Sequence, residues 1–360
     1  MRVAIAPDSF KGSLSADAAA RSIAAGWRAA RPGDELLLMP QADGGEGTLD
    51  AIEACVAGAR RHDVFPVDGP DGRPTRGEWL MLPDGTAVVE LAQMCGLPMM
   101  RSLDPLGSST RGLGQTIAAA LDAGATALVI TLGGSASTDG GAGALGALGL
   151  QLHDAVGTPV KRGGGALALL HGVDRSALMS PPPGGVTVLT DVTAPLLGPT
   201  GAAAVFGPQK GANTADVHLL DDALARFALV LGGDPEAPGA GAAGGAAFGF
   251  ATVWDARIAP GADHLQRLTG LSDAMEDVDL VITGEGQFDA QSLGGKVVGQ
   301  VLRRAASVGT DAAVIAGVLA EDPPVQGVGL ANLAGSVEAS LAEPEHWLRR
   351  AGQHVAASRF

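Results

Sequence analysis

The chain has 360 residues, which suggests two domains at about 150 residues each. Hydrophobic residues make up 46% and charged residues 18%, and this composition, with 54 glycines but no collagen-like period, predicts globular domains with many tight loops. The formal net charge of −15 argues against nucleic-acid binding, because phosphate backbones are bound through clustered Lys and Arg.

The first sixty residues alternate strand, loop and helix. Short apolar runs at residues 2–6 and 36–39 predict two strands, each followed by a glycine-containing loop. Between them, Ala19, Ile23 and Trp27 recur every four residues, which predicts one buried helix face. This order favours a parallel sheet whose functional loops follow the carboxyl ends of the strands.

The middle of the chain carries hairpin signals instead. Strand patterns at 62–67, 77–82 and 86–91 are separated by turns rich in Asp, Gly and Pro, which predicts antiparallel pairing. Strand–helix alternation returns near the end of the chain, with a strand predicted over 278–283 and a helix over 291–308.

We therefore predict the α/β fold class with two domains. Residues 1–60 and 277–360 would form a Rossmann-like α/β domain around a parallel sheet, built from both chain ends. Residues 61–276 would form an inserted, mixed α+β domain. Because clefts between domains are favoured ligand sites, we expect the functional loops to face such a cleft.

Cysteine usage and hydropathy bear on the location of the protein. Cys55 and Cys95 lie far apart and without neighbouring His, which predicts neither a disulfide framework nor a zinc site. The longest uncharged run, 237–254, is interrupted by glycines, and no basic segment precedes an apolar run at the N-terminus. We expect a cytoplasmic protein without signal peptide or membrane span. Its oligomeric state stays open between monomer and homodimer.

Lysine is rare in this chain, and it occurs only in glycine-rich stretches. Lys11, Lys161, Lys210 and Lys296 all lie in glycine-rich stretches. An ammonium is not interchangeable with a guanidinium at a phosphate, so lysines retained in a chain that prefers Arg are candidate site residues. We assign this role to Lys11, Lys210 and Lys296, and interpret Lys161, beside Arg162, as a solvated surface residue. The alternative is that lysine falls beside glycine by chance.

Glycine-rich loops with carboxylates and hydroxyls follow most of the predicted strands. This mixture suits phosphoryl transfer, because glycine lets backbone N–H groups approach phosphate oxygens and lysine neutralises their charge. Carboxylates hold Mg²⁺ or accept the proton of the attacking hydroxyl. For any single loop the alternative is a plain turn. The loops are residues 7–13, 42–48, 133–141, 190–192, 206–211 and 283–289.

Common nucleotide-binding motifs are absent or misplaced in this sequence. Gly295-Lys296 is followed by Val297 and lacks the first glycine of a P-loop. The two G-x-G-x-x-G strings, at 141–146 and 239–244, lack the strand that must directly precede a dinucleotide fingerprint. We interpret both strings as helix packing or loop.

Six sequence blocks stand out along the chain: residues 6–15, 42–48, 132–136, 205–211, 239–245 and 282–286. They resemble those of bacterial-type (type-1) glycerate kinases, in the family's order and over nearly the whole chain. The resemblance implies a flavodoxin-like domain with an inserted second domain, ATP as donor, D-glycerate as acceptor and 2-phosphoglycerate as the usual product. The chain departs from the family pattern at Ser137-Thr138, Ala194 and Gly294.

Alternatives stay open beside this interpretation. A related kinase would make 3-phosphoglycerate or act on another small hydroxy acid. A nicotinamide dehydrogenase is disfavoured by the absence of tyrosine and by the misplaced glycine strings. A non-catalytic anion-binding protein would explain the glycines but not so many carboxylates, which repel an anion unless a metal or a proton acceptor is required.

Asp191 is our candidate for the general base, because the predicted strand 186–189 would hold it rigidly. The alternatives are that Asp191 caps a turn or binds the metal, and Asp8 or Asp139 is then the next candidate base. The catalytic set is Asp191, Lys11, Lys210 and Asp8. The nucleotide set is Gly133, Gly134, Ser135, Asp139, Gly284, Glu285 and Lys296. The substrate set is Ser9, Asp43 and Glu46, and the Mg²⁺ set is Asp43, Glu285 and Asp289.

Overall fold

The computed structural model describes residues 1–294 and 296–358, so Gly295, part of the predicted helix 291–308, lies outside the described residues.

The strands are β1 (Arg2–Ile5), β2 (Glu35–Leu38), β3 (Arg60–Asp68), β4 (Pro74–Met81), β5 (Thr86–Glu90), β6 (Ala127–Thr131), β7 (Gln151–His153), β8 (Gly172–Asp174), β9 (Val186–Leu189), β10 (Arg257–Ala259), β11 (Leu280–Phe288), β12 (Asp311–Leu319) and β13 (Gln326–Gly329).

The α-helices alternate with these strands at both ends of the chain. They are α1 (Ala16–Ala30), α2 (Thr48–Cys55), α3 (Ala92–Cys95), α4 (Arg111–Asp122), α5 (Ala142–Ala147), α6 (Ala202–Phe206), α7 (Thr214–Leu231), α8 (Ala242–Trp254), α9 (Gly261–Leu268), α10 (Leu271–Ala274), α11 (Val297–Val308), α12 (Leu330–Ala334), α13 (Val337–Ala342) and α14 (Pro344–Ala357). No helix in the described part of the chain is long and apolar enough to span a membrane.

The chain divides into two compact units. The first contains Met1–Asp43, Asp50–Ala57 and Gly261–Phe360, and the second contains Gly44–Leu49 and Gly58–Pro260. The domain boundaries expected from the sequence, after residue 60 and before residue 277, stay a prediction.

The first unit is built on a five-stranded parallel sheet in the order β13-β12-β11-β1-β2. Successive residues of β1, Val3 to Ile5, are fully buried, as expected for a parallel strand covered by helices on both faces. The predicted helix face is confirmed, because Ala19, Ile23 and Trp27 of α1 have no exposed surface. This sheet places the ends of β11, β1 and β2 side by side.

Two glycines let α1 and α14 pack closely in the first unit. A Cβ atom on Gly26 would lie 1.9 Å from the carbonyl oxygen of Arg349, and one on Gly352 would lie 2.3 Å from that of Ile23. Since real side chains never make such contacts, any larger residue would force the two helices apart.

Two predicted boundaries near the end of the chain are wrong. The strand expected to end at Thr283 continues as β11 to Phe288, because its partner β12 also continues, to Leu319. The helix expected from residue 291 begins only at Val297. Before it, Asp289 accepts a hydrogen bond from the backbone N–H of Gln291, and this turn replaces the first helical residues.

The second unit contains a six-stranded mixed sheet in the order β10-β9-β6-β5-β4-β3. The expected hairpins are confirmed, because β3, β4 and β5 pair antiparallel, whereas β5, β6, β9 and β10 pair parallel. Its core includes Phe227 of α7 and Phe248 of α8, which meet edge to face at a centroid distance of 6.2 Å.

The glycine string at 239–244 packs against the loop that follows β6. Ala243, Gly244 and Gly245 have left-handed backbone conformations inside α8. A Cβ atom on Gly244 would lie 2.2 Å from the carbonyl oxygen of Ser137. The interpretation of this string as loop or helix packing is therefore confirmed.

Candidate active site

Three carboxylates meet at the carboxyl ends of neighbouring strands in the first unit. The ladder between β1 and β11 continues past β1, where the backbone N–H of Asp8 donates to the carbonyl of Gly284 at 2.8 Å. On the other side of β1, the N–H of Gln41 donates to the carbonyl of Pro7 at 2.9 Å. These bonds place Asp8 between Glu285, in β11, and Asp43, which follows β2.

The electrostatics of Asp8 reflect this crowding. Burial, together with the nearby carboxylates of Asp43 and Glu285, raises its pKa from 3.8 to about 7. The N–H of Ser9, which donates to Oδ1 of Asp8 at 2.6 Å, and the ammonium of Lys11 act in the opposite direction. Asp8 therefore binds its proton more tightly than an isolated carboxyl group does.

Glu285 has an oxygen available for a ligand. Burial raises the pKa of its carboxyl group, while Ser292 and Lys296 oppose that shift. Its Oε1 atom is buried and has no hydrogen-bond partner in the structure. A buried carboxylate oxygen without a partner is costly, which points to a bound cation or donor at this position.

The carboxylates line a cavity of about 390 Å³ that lies entirely within the first unit. Its volume falls within the range of about 300–1,000 Å³ that is typical of small-molecule sites. Seven of the sequence-predicted site residues line it: Asp8, Ser9, Lys11, Asp43, Glu285, Asp289 and Lys296. The sequence assigned these residues to separate loops, and the sheet order brings them together.

The carboxylates of this cavity fit a magnesium ion better than a closed metal centre. In residues 1–294 and 296–358, no group of three or more His, Cys, Asp or Glu side chains is arranged to hold a metal. Mg²⁺ is usually bound through one or two carboxylates, several waters and the phosphates of a substrate. The unpartnered Oε1 of Glu285 is a suitable protein ligand of that kind.

Gly284 allows β11 and β12 to pack closely, and it does not line the cavity. A Cβ atom there would lie 1.9 Å from the carbonyl oxygen of Ile315 in β12, so only glycine fits between the two strands. Gly284 is buried, and it is not among the residues that line the cavity. Its expected contact with the nucleotide stays a prediction.

In the second unit, two glycine-rich loops contact each other. The N–H of Gly133, just after β6, donates to the carbonyl of Gly44 at 3.0 Å. A Cβ atom on Gly133 would lie 2.3 Å from the Cα atom of Gly45, so the contact requires glycine. Gly134 is exposed, so its backbone is accessible to a ligand, and its φ angle of 73° favours glycine at this position.

Lys210 lies inside the second unit, where it fixes the loop after β6. Its side chain is 2% exposed, and Nζ donates to Oγ of Ser135 at 2.9 Å and to the carbonyl of Ser137. Burial lowers the pKa of Lys210 to about 7, and the Asp139 carboxylate partly opposes this shift. We interpret Lys210 as a support for the Ser135 loop. Its expected role in charge neutralisation stays a prediction.

Asp139 is also internal. It is 1% exposed, and its carboxylate accepts hydrogen bonds from the N–H groups of Thr110, Gly141 and Gly143 at 2.8 to 3.2 Å and from the Thr110 hydroxyl. Burial raises its pKa, and these donors oppose the rise. With its oxygens already bonded, Asp139 is better suited to holding the loop after β6 than to contacting a nucleotide.

Asp191 and Glu46 are both exposed residues of the second unit. Asp191 lies two residues beyond the end of β9, as the sequence predicted, and Glu46 lies in the segment Gly44–Leu49. Their proposed roles with substrate are not decided by these positions.

Glu90 is a residue that sequence reasoning missed. It ends β5, has no exposed surface, and accepts hydrogen bonds from the N–H groups of Gly47 at 3.1 Å and Leu49 at 2.9 Å. It therefore holds the segment that carries Glu46. An acidic residue closing an apolar run, Ala87 to Val89, was the signal that would have revealed it.

Replacing Glu90 tests whether its carboxylate stabilises the segment that carries Glu46. Glu90→Gln exchanges one carboxylate oxygen for an NH₂ group that cannot accept, so a backbone N–H of Gly47 or Leu49 loses its partner. We expect the free energy of unfolding to fall by about 1–3 kcal/mol, measured by urea denaturation. The exposed Glu236→Gln is the matched control, and an equally small effect of both changes would contradict the role of Glu90.

Known proteins resemble this chain over nearly its whole length. The family model described as "Glycerate kinase family" matches residues 3–359. The chain belongs to the glycerate kinase family. The glycerate kinase of Bacillus subtilis (strain 168) is 42% identical over 331 residues, which cover 89% of this chain and 86% of the relative. The glycerate 2-kinase of Escherichia coli (strain K12) is 41% identical, with the same coverage of both chains.

Among solved structures, a candidate glycerate kinase 2 from Salmonella typhimurium LT2 superposes with a TM-score of 0.87 at 36% identity. The match covers 99% of this chain and 98% of that one. The predicted α/β fold class is confirmed, and so is the resemblance to glycerate kinases. As a member of the glycerate kinase family, the chain is a phosphotransferase.

Proposed function

We propose that the protein transfers the γ-phosphoryl group of ATP to a hydroxyl of D-glycerate and forms 2-phosphoglycerate. The observation that carries this proposal is the cavity of the first unit, which four carboxylates line together with Lys11 and Lys296 at the carboxyl ends of parallel strands. The product is supported by the name of the Escherichia coli relative, glycerate 2-kinase.

The cations of the cavity would bind the phosphates of ATP. Lys11 and Lys296 are exposed and line the same cavity. Lys296 directly precedes α11, a helix of 12 residues, so the positive end of the helix dipole lies beside it. Lysine ammonium groups and a helix N-terminus together neutralise charge on a phosphoryl group.

Magnesium would be held on the acidic side of the cavity. Asp43, Glu285 and Asp289 are the carboxylates proposed for this role, and Glu285 provides an oxygen without another partner. A bound Mg²⁺ supplies neutralisation of the negative charge on the transferred phosphoryl group. Ser9, whose side chain lines the cavity, would contact the glycerate.

Asp8 is the base that the cavity supports best. It lies among the candidate phosphate and metal ligands, on rigid backbone next to β1. A base for a hydroxyl proton works best with a pKa near the operating pH, and crowding already moves Asp8 in that direction. Asp191, exposed beyond β9 in the second unit, stays the alternative base or metal ligand.

The proposed reaction predicts ADP release that depends on both D-glycerate and Mg²⁺. We expect the rate to rise from background to saturation with D-glycerate and to vanish with excess chelator. ADP release is measured with D-glycerate, with L-glycerate and with lactate, which separates the glycerate kinase from a kinase of another hydroxy acid. A folded protein that shows no D-glycerate dependence at any pH from 6 to 9 would overturn the proposal.

Replacing Asp191 by asparagine distinguishes the two candidate bases, Asp8 and Asp191. We expect Asp191→Asn to leave kcat within a few-fold of the parent if Asp8 is the base. If Asp191 is the base, kcat instead falls by roughly 10²–10⁴. If Asp191 binds the metal, activity lost in Asp191→Asn returns in part with excess Mg²⁺. The measurement is kcat at saturating ATP and D-glycerate over a Mg²⁺ titration.

A further inference from the structure

The lining of the cavity in the first unit is partly apolar. Besides the carboxylates and lysines, it is lined by Leu330, Val337, Leu341 and Pro344. Among the described residues of the first unit, four large apolar side chains are exposed, and two of them line this cavity: Val337 is 41% exposed and Leu341 is 57% exposed.

The exposed pair is presented by a single helix. Val337 and Leu341 are four residues apart on α13, so their side chains lie on the same helix face. The neighbouring Ser340 donates its hydroxyl to the carbonyl of Val337 at 2.7 Å, inside the helix. Ser336 caps the helix by accepting from the N–H of Ala339 at 3.1 Å. The helix is thus internally bonded and offers the cavity an apolar surface.

A ligand that fills this cavity must combine charged groups with an apolar part. D-glycerate carries an oxygen on each of its three carbons and has no apolar part, so it matches the charged lining alone. ATP combines a triphosphate with a flat purine ring, and it matches both the charged and the apolar lining. Burying two aliphatic side chains against a purine removes apolar surface from water, which favours binding.

We infer that Val337 and Leu341 form the surface on which the adenine ring of ATP binds. This inference rests on the proposed function, because it takes ATP as the donor and the lysines of the cavity as the triphosphate site. The triphosphate then lies toward Lys11 and Lys296, and the adenine lies toward α13. The same surface gives no contact to D-glycerate.

The test compares ATP with inorganic tripolyphosphate, which has the charge but no base. Binding of each is measured by titration calorimetry with Mg²⁺, for the parent chain and for Val337→Ala/Leu341→Ala. Both side chains are exposed, so the double variant is expected to fold. We expect ATP to bind roughly tenfold more weakly to the variant. Tripolyphosphate affinity and the KM for D-glycerate should be unchanged.

Leu229→Ala is the matched control, since Leu229 is a 74% exposed leucine on α7 of the second unit. It should change neither affinity. If the parent chain binds neither ATP nor tripolyphosphate, the proposed function itself fails. If the parent binds both and the double variant keeps its ATP affinity, the adenine assignment alone is wrong. An equal loss for ATP and tripolyphosphate would also contradict it, because the effect would then concern the phosphates.

Discussion

Asp8→Asn is expected to make the protein more stable at pH 8 and to reduce kcat by roughly 10²–10⁴. The activity falls because asparagine cannot accept the hydroxyl proton. The stability rises because asparagine removes a carboxylate that burial and two like charges disfavour. A change that stabilises the fold and abolishes the reaction is typical of a catalytic group held in an unfavourable environment.

The stability gained in Asp8→Asn depends on pH, because the pKa of Asp8 is raised in the folded chain. The pKa of Asp8 is about 7 in the folded chain against 3.8 as its ordinary value, so between these pH values the folded chain binds more protons than the unfolded chain. The contribution of Asp8 to the free energy of unfolding therefore falls as pH rises from about 4 to 7. At pH 8 the variant should be more stable by about 2–4 kcal/mol, and near pH 4 the difference should vanish.

The measurement is urea denaturation without divalent cations at pH 4, 6 and 8, paired with kcat at pH 8. Asp322→Asn, at an exposed residue of the same unit, is the control and should change neither quantity. A destabilised Asp8→Asn variant at pH 8 would show that burial and the neighbouring carboxylates do not disfavour the charged form of Asp8. If it keeps kcat, Asp8 is not the base.

Replacing Lys210 or Lys11 by arginine is expected to have two different effects, one on stability and one on activity. Lys210→Arg is expected to lower the free energy of unfolding by about 1–3 kcal/mol, because a larger guanidinium must enter a site that is 2% exposed. Lys11→Arg is expected to keep stability within about 0.5 kcal/mol, because Lys11 is exposed. Its kcat/KM for ATP should fall, since a guanidinium does not reproduce the position of an ammonium at a phosphate.

Urea denaturation and steady-state kinetics on both variants separate the two effects. Lys161→Arg, at an exposed lysine, is the control and should change neither stability nor rate. A Lys210→Arg variant with parental stability would contradict the packing described around Ser135. Unchanged kcat/KM for Lys11→Arg would remove Lys11 from the phosphate site.

Local patterns in the sequence were enough to predict the elements that position the cavity. The spacing of Ala19, Ile23 and Trp27 predicted α1, and the apolar runs near residues 2 and 36 predicted β1 and β2. These signals are local, because each depends on burial of one helix face or one strand. The hairpins of the second unit were likewise marked by their turn residues.

Pairing between distant segments could not be derived in the same way. The extension of β11 through Glu285 depends on β12 continuing beside it, which no local pattern states. The internal positions of Lys210 and Asp139 depend on loops that close around them, and no local pattern in the sequence states this. Glu90 was missed because its partners, the N–H groups of Gly47 and Leu49, lie about forty residues away.

The most direct test of the proposed reaction is the identity of its product. The protein is supplied with ATP, Mg²⁺ and D-glycerate, and pyruvate formation is followed with enolase and pyruvate kinase, with and without phosphoglycerate mutase. We predict pyruvate formation at the full rate without the mutase, because enolase accepts 2-phosphoglycerate directly. Pyruvate that forms only when the mutase is present, or no D-glycerate-dependent pyruvate at all, would contradict the proposal.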